Sequence, residues 1–166
     1  MQKSKNAFTM IELVFVIVIL GILAAVAVPK LAATRTDAQI SKGRSDVSSI
    51  RSAIVTERQS RLIRGDSSFI NRLDNGVANN AENVKIFDTN ETLSATSPKI
   101  LSYGLTTKNS DGNWMKTASN VYAYKVSSGT ESFTYYPADI TVAGVFHQAG
   151  SFDCNHANSL CKNLVE

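Results

Sequence analysis

One carboxylate stands inside an otherwise uncharged apolar run. Glu12 lies four residues beyond Phe8 in Phe8-Thr9-Met10-Ile11-Glu12-Leu13-Val14, and no further charge occurs before Val28. Inserting an acid near the middle of a bilayer-spanning helix costs about 2.5–3.5 kcal/mol, so a carboxylate in such a place is a functional residue with a partner to find. The other reactive side chains sit near the opposite end. Cys154 and Cys161 are the only two cysteines and have six residues between them, with His147 and His156 close by. A disulfide there would close a short C-terminal loop and contribute about 2–3 kcal/mol in the loop-entropy account. The alternative is a zinc set of His147, Cys154, His156 and Cys161, although its spacing matches no common finger pattern. No Gly-rich phosphate loop, nucleophile elbow or zinc-hydrolase helix occurs, so neither enzymatic activity nor a cofactor or resident metal is expected.

The apolar run must first be placed. Residues 8–28 number 21, which as a helix span about 31 Å, close to the roughly 30 Å of a bilayer's hydrocarbon core. Lys3 and Lys5 precede it with no acid among residues 1–7, which predicts a cytoplasmic N-terminus and a C-terminal part across the membrane. The cysteines then reach an oxidising compartment, which favours the disulfide. Ala25-Val26-Ala27 is an A-x-A triplet of the kind an ordinary signal peptidase cuts. Against that reading stand Glu12 within the apolar run and helical periodicity that continues past residue 30.

Lys5-Asn6-Ala7 followed by Phe8-Thr9-Met10-Ile11-Glu12-Leu13 resembles the prepilin processing motif of type IV pilins and type II secretion pseudopilins. The resemblance covers about the first fifth of the chain. It implies cutting between Ala7 and Phe8 by a prepilin peptidase and N-methylation of Phe8. Ala7 stands where the family nearly always has Gly, so a small residue is kept. Gly21 and Pro29 fall where the family's N-terminal helix commonly carries Gly and Pro. Calcium is found in some secretion pseudopilins, and Asp139 or Asp153 could contribute here, but no patterned carboxylate loop supports such a site. Cutting after Ala7 would give Glu12 a cationic amine four residues upstream. An amine on a neighbouring subunit could pair with Glu12, and a subunit out of step would strand that acid, a penalty of about 3–5 kcal/mol for a buried pair. The simpler alternative is that Glu12 snorkels or serves the positive N-terminal end of its own helix.

Further along, the only helix breakers between residues 8 and 64 are Gly21, Pro29 and Gly43, which predicts one long helix of about 57 residues and roughly 85 Å. Pro29 lacks an N–H and crowds the preceding turn, so a kink or local melting is expected near residues 21–29. Ile40, Gly43, Val47, Ile50 and Ile54 recur at steps of three and four and form one stripe suited to packing on a head. Arg44, Arg51 and Arg58 repeat every seven residues on another face and are joined by Arg61 and Arg64. That row reads as a solvated face, or else as a contact for the acidic head of an adjacent subunit, with DNA a distant third. Residues 30–72 hold nine Lys/Arg against four Asp/Glu, whereas residues 73–166 hold six against nine. The overall charge of +3 is too small to imply nucleic acid as a partner.

Residues 65–99 are rich in Asn, Ser, Asp and Thr and read as a connecting loop. Residues 100–106, 121–126, 133–136 and 140–146 are β-rich, with 127–130 as a hairpin loop, and Trp114 and Met115 read as packing residues. The expected architecture is α+β: a long N-terminal helix on a small antiparallel sheet. Its parts are a leader (1–7), an apolar assembly segment (8–29), an amphipathic half-helix (30–64) and a head (65–166) made of the loop, a sheet (100–147) and a disulfide loop (148–166). The implied role is a structural subunit of a type IV pilus or secretion pseudopilus. It starts in a bacterial inner membrane with its head in the periplasm, then enters a periplasmic or surface filament. Implied partners are other pilin-like subunits, prepilin peptidase, an assembly platform protein and an ATPase. The rival is an extracytoplasmic binding or enzymatic domain behind an ordinary signal peptide or single-pass anchor.

Overall fold

A computed structural model describes residues 8–88 and 100–166. The chain divides into two compact units, Met1–Asp37 and Ala38–Glu166, each described by itself below. Helix α1, Met10–Ile63, contributes to both. It continues without a break through Gly21 and Pro29, so the melting expected near residues 21–29 does not occur. Proline forfeits one backbone hydrogen bond, and the flanking Ala24, Ala25, Ala27, Ala32 and Ala33 are the strongest helix formers available.

In the second unit, α1 buries Gly43, Val47, Ile50 and Ile54, the stripe expected from their spacing, while Ile40 is half-buried. The stripe faces a four-stranded antiparallel sheet of β3 (Asn113–Ala118), β4 (Val121–Val126), β5 (Gly129–Tyr136) and β8 (Ser151–Cys154), in the order β3-β4-β5-β8. Alternation along β5 sends Glu131, Phe133 and Tyr135 inward and Ser132, Thr134 and Tyr136 outward. Two small two-stranded pairs complete the β-structure: β1 (Lys85–Ile86) with β2 (Leu105–Thr106), and β6 (Ile140–Val142) with β7 (Val145–His147). Helix α2 spans Ser159–Val165.

Several expectations require correction. Residues 140–146 are a hairpin rather than one strand, because Ala143 and Gly144 both take positive φ and reverse the chain. Of residues 100–106, only Leu105 and Thr106 are in a strand. Strand β3 was not anticipated, since Lys116 interrupts its apolar pattern. The region 148–166 is more than a disulfide loop: it supplies edge strand β8 and α2, whose Cys161 and Leu164 are buried. The polar stretch after α1 also sends Ile70, Leu73, Ile86 and Phe87 into the core. Residues 89–99 of the expected linker lie outside the described residues.

The core is aromatic. Phe87 lies 4.6 Å from Tyr122 and 5.8 Å from Trp114 between ring centroids, and Phe133 stacks on Phe152 at 5.2 Å. Trp114 and Tyr124 each carry a polar atom that finds a partner on α1: Trp114 Nε1 donates to Asp46 Oδ2 at 3.0 Å, and the Tyr124 hydroxyl to the Gln39 carbonyl at 2.7 Å. Gly43 is required at this contact, because a Cβ there would fall 2.6 Å from Leu164 Cδ2 and into the Tyr124 ring. Buried Asp74 forms the polar centre of the head. Its carboxylate accepts from Lys116 Nζ at 3.0 Å, from the Tyr122 hydroxyl at 2.6 Å and from the Gly76 and Val77 amides at 2.8 and 2.9 Å. Burial alone would raise its pKa, but the Tyr122 and Lys116 hydrogen bonds and the Lys116 charge together hold it below the usual carboxylate range.

A depressed carboxyl contributes stability above the unfolded pKa of about 3.9, and that contribution is lost as pH falls through the folded value. Lys116→Met should therefore cost about 3–5 kcal/mol at neutral pH by stranding the Asp74 charge. The deficit should shrink as pH falls, because without the lysine Asp74 takes a proton first, and it should vanish only once pH has passed below the lowered folded pKa at which native Asp74 is protonated too. Urea unfolding of the detergent-solubilised chain, followed by the fluorescence of its single tryptophan, Trp114, measures both.

Candidate functional site

The first turn of α1 is built by Thr9 and Glu12. Thr9 precedes the helix and Glu12 is its third residue. The Glu12 carboxylate accepts from the Thr9 amide at 2.8 Å and the Thr9 hydroxyl at 2.7 Å, while the Glu12 amide donates to Thr9 Oγ1 at 3.3 Å. This reciprocal arrangement is a capping box, which satisfies amides that the helix itself leaves without partners. The Thr-x-x-Glu signal was readable in the sequence as a helix start and went unread there. In the single chain, then, Glu12 serves its own helix terminus, the simpler of the two roles expected. The box also leaves Phe8 just outside the helix, 86% exposed. Ala7, the other side of the expected cleavage junction, lies outside the described residues with the rest of the leader.

Beyond the box, large apolar side chains from Phe8 to Leu31 are all well exposed, Ile19 least at 40%. They point to every side, and the segment is long and apolar enough to cross a membrane. An isolated chain in water cannot cover this surface. Either lipid or other helices must do so.

Within the single chain the arginine row is bonded to the head rather than standing free as a solvated face. Arg44 donates to the Asn163 carbonyl at 3.1 and 2.7 Å, and Arg51 to the Phe152 carbonyl and Asp153 Oδ1, each at 2.9 Å. Arg58 donates to the Ser68 carbonyl at 2.9 Å with its guanidinium 4.4 Å from the Phe69 ring centre. Arg61 bridges Glu57 and Asp66, and Arg64 reaches Glu57 at 3.7 Å. The row fastens α1 to the loop after it, to β8 and to α2 of the same chain. Arg51 in particular occupies one backbone acceptor, the Phe152 carbonyl, on edge strand β8.

At the C-terminal end, Cys154 and Cys161 form a disulfide, which takes both thiolates from the alternative zinc set. The bond ties the end of β8 to α2. His147 stacks on Tyr136 at 4.1 Å, His156 contacts Asp153 at 3.0 Å, and Asp139 accepts from the Ala149 amide at 2.7 Å. Among the described residues, no group of three or more His, Cys, Asp or Glu is placed to hold a metal ion.

Residues 2–28 match the family described as the prokaryotic N-terminal methylation motif, the hallmark of type IV pilins and pseudopilins. The chain thus carries a pilin-type processing signal, joined to an apolar N-terminal helix and an α+β head. The match spans 27 of 166 residues and speaks for this segment rather than the head. No curated protein and no solved structure matches the chain.

Replacing both Cys154 and Cys161 by Ser should cost about 2–3 kcal/mol of head stability in the loop-entropy account. The loss should appear as a lower urea midpoint in Trp114 fluorescence, and reductant should lower the native protein's midpoint to the same value.

Proposed function

We propose that this chain is a structural, non-catalytic subunit of a type IV pilus or type II secretion pseudopilus, cut between Ala7 and Phe8, methylated on Phe8 and assembled through its N-terminal helix. The observation that carries the proposal is the methylation motif at residues 2–28 on a helix whose apolar surface its own chain leaves uncovered. The capping box supports it further, because the helix begins just past the junction and Phe8 is presented outside it. Once the leader is removed, the Phe8 amine becomes a cation one turn from Glu12. In a packed bundle that acid can exchange its Thr9 contacts for the amine of an adjacent subunit. A mispaired neighbour would leave it buried and unpaired, which selects the register.

On this reading the precursor sits in the inner membrane with its head in the periplasm, and the finished filament lies in the periplasm or on the cell surface. Extraction from the membrane needs a platform protein and an ATPase.

Intact-mass measurement of the membrane-extracted chain should show loss of residues 1–7 and gain of one methyl group. A start at Val28 would instead identify an ordinary secreted domain, and a retained leader a simple anchor. Glu12→Ala should insert in the membrane normally while filaments, counted by electron microscopy of sheared material, become scarce. Native-level assembly by that variant alone would rule out the pairing.

A further inference from the structure

Between the outward face of β5 and the β6–β7 hairpin lies a groove of about 500 Å³, and every residue lining it is exposed or half-buried, so it is open to a ligand. That volume falls within the roughly 300–1,000 Å³ of small-ligand sites. Its two walls differ. The hairpin side is apolar, with Val145 58% and Phe146 64% exposed, and beside them Tyr136 and His147 stack at 4.1 Å. Uncovered apolar surface of this kind marks a contact site. The sheet side is hydroxylic, with Ser132 and Thr134 pointing outward from β5.

Charge narrows the ligand class. No lysine or arginine lines the groove, which leaves nothing to hold an anion. Its one carboxylate, Asp153, is already paired with Arg51 at 2.9 Å, which leaves little to attract a cation. Main-chain recognition of a peptide is also poorly served, because on edge strand β8 Arg51 holds the Phe152 carbonyl and Asp153 Oδ1 holds the Cys154 amide. What remains are hydroxyls and imidazole nitrogens, groups that donate and accept, beside an exposed aromatic ring. A sugar ring has the complementary surface: hydroxyls on its rim that also donate and accept, and C–H bonds that pack on the negative face of an aromatic ring. We propose that this groove binds a neutral oligosaccharide, with Phe146 against a ring face and Ser132, Thr134 and His147 on its hydroxyls. Binding of this kind needs no filament, so its failure leaves the subunit reading intact.

The test uses the full chain solubilised in a zwitterionic detergent without a sugar headgroup, with maltotriose and cellotriose as probes. Protein aromatic protons are irradiated, and saturation transfer to the sugar C–H protons is read by NMR. Transfer to at least one trisaccharide is expected. Phe146→Ala and Thr134→Val should each lower it about five-fold, as for loss of an aromatic anchor or one hydrogen bond, with Trp114 fluorescence unchanged. No transfer to either sugar overturns the proposal. So does transfer that either variant leaves unchanged, which places the sugar elsewhere, or stronger transfer to trigalacturonate, whose rings carry carboxylates. Should Thr134→Val unfold the head, Ser132→Ala, at an exposed position, decides in its place.

Discussion

A helix that is apolar on every side cannot remain in water, and much else about this chain follows from that. From Phe8 to Leu31 the large side chains have no cover within their own chain. Burial of apolar area is worth roughly 25 cal/mol per Å², so the demand for lipid or neighbouring helices is large and nonspecific. Specificity has to come from something polar. Within the segment that means Thr9 and Glu12, already coupled at the helix start. A carboxylate whose partners are interchangeable can be satisfied in the lone chain and be satisfied again in an assembly. On the subunit reading proposed above, such an acid would select register in the assembly while capping the helix of the lone chain.

The second unit solves a different problem, the stabilisation of a small sheet. It uses large aromatic residues packed edge to face, a buried lysine–aspartate pair satisfied from four directions, and a disulfide at the C-terminal edge. The arginine row adds hydrogen bonds from α1 to carbonyls far along the chain. An arginine suits this work better than a lysine, since its planar fork can serve two acceptors at once, as Arg51 does with Phe152 and Asp153. These clamps lie along the face of α1 that a solvated helix would leave open. They make the half of α1 from Ala38 onward part of the head rather than a stalk beneath it.

Features set by local periodicity and chemistry could be read directly. The stripe Gly43, Val47, Ile50 and Ile54 follows from the helical repeat, β4 from its run of β-formers, and the cysteine pair from its isolation and predicted compartment. The capping box was equally legible, since Thr9 and Glu12 stand at the Thr-x-x-Glu spacing that opens a helix. The misread segments share a physical cause. Lys116 looks like an interruption of a strand until Asp74, 42 residues earlier, is seen to neutralise it. Ile70, Leu73 and Phe87 are thinly scattered in polar sequence, so no window around them shows a period, yet each is buried. Arg51 reads as solvated until β8 is brought beside it.

From residue order alone came the membrane-length helix, its acid, the processing motif and the α+β class, because each depends on neighbours within a few turns of chain. Tertiary structure decided which charges are buried, where the arginines reach, how the C-terminal segment becomes edge strand and helix, and which hairpin stays uncovered. Those outcomes depend on contacts between residues tens of positions apart, whose energies exist only once the chain has folded.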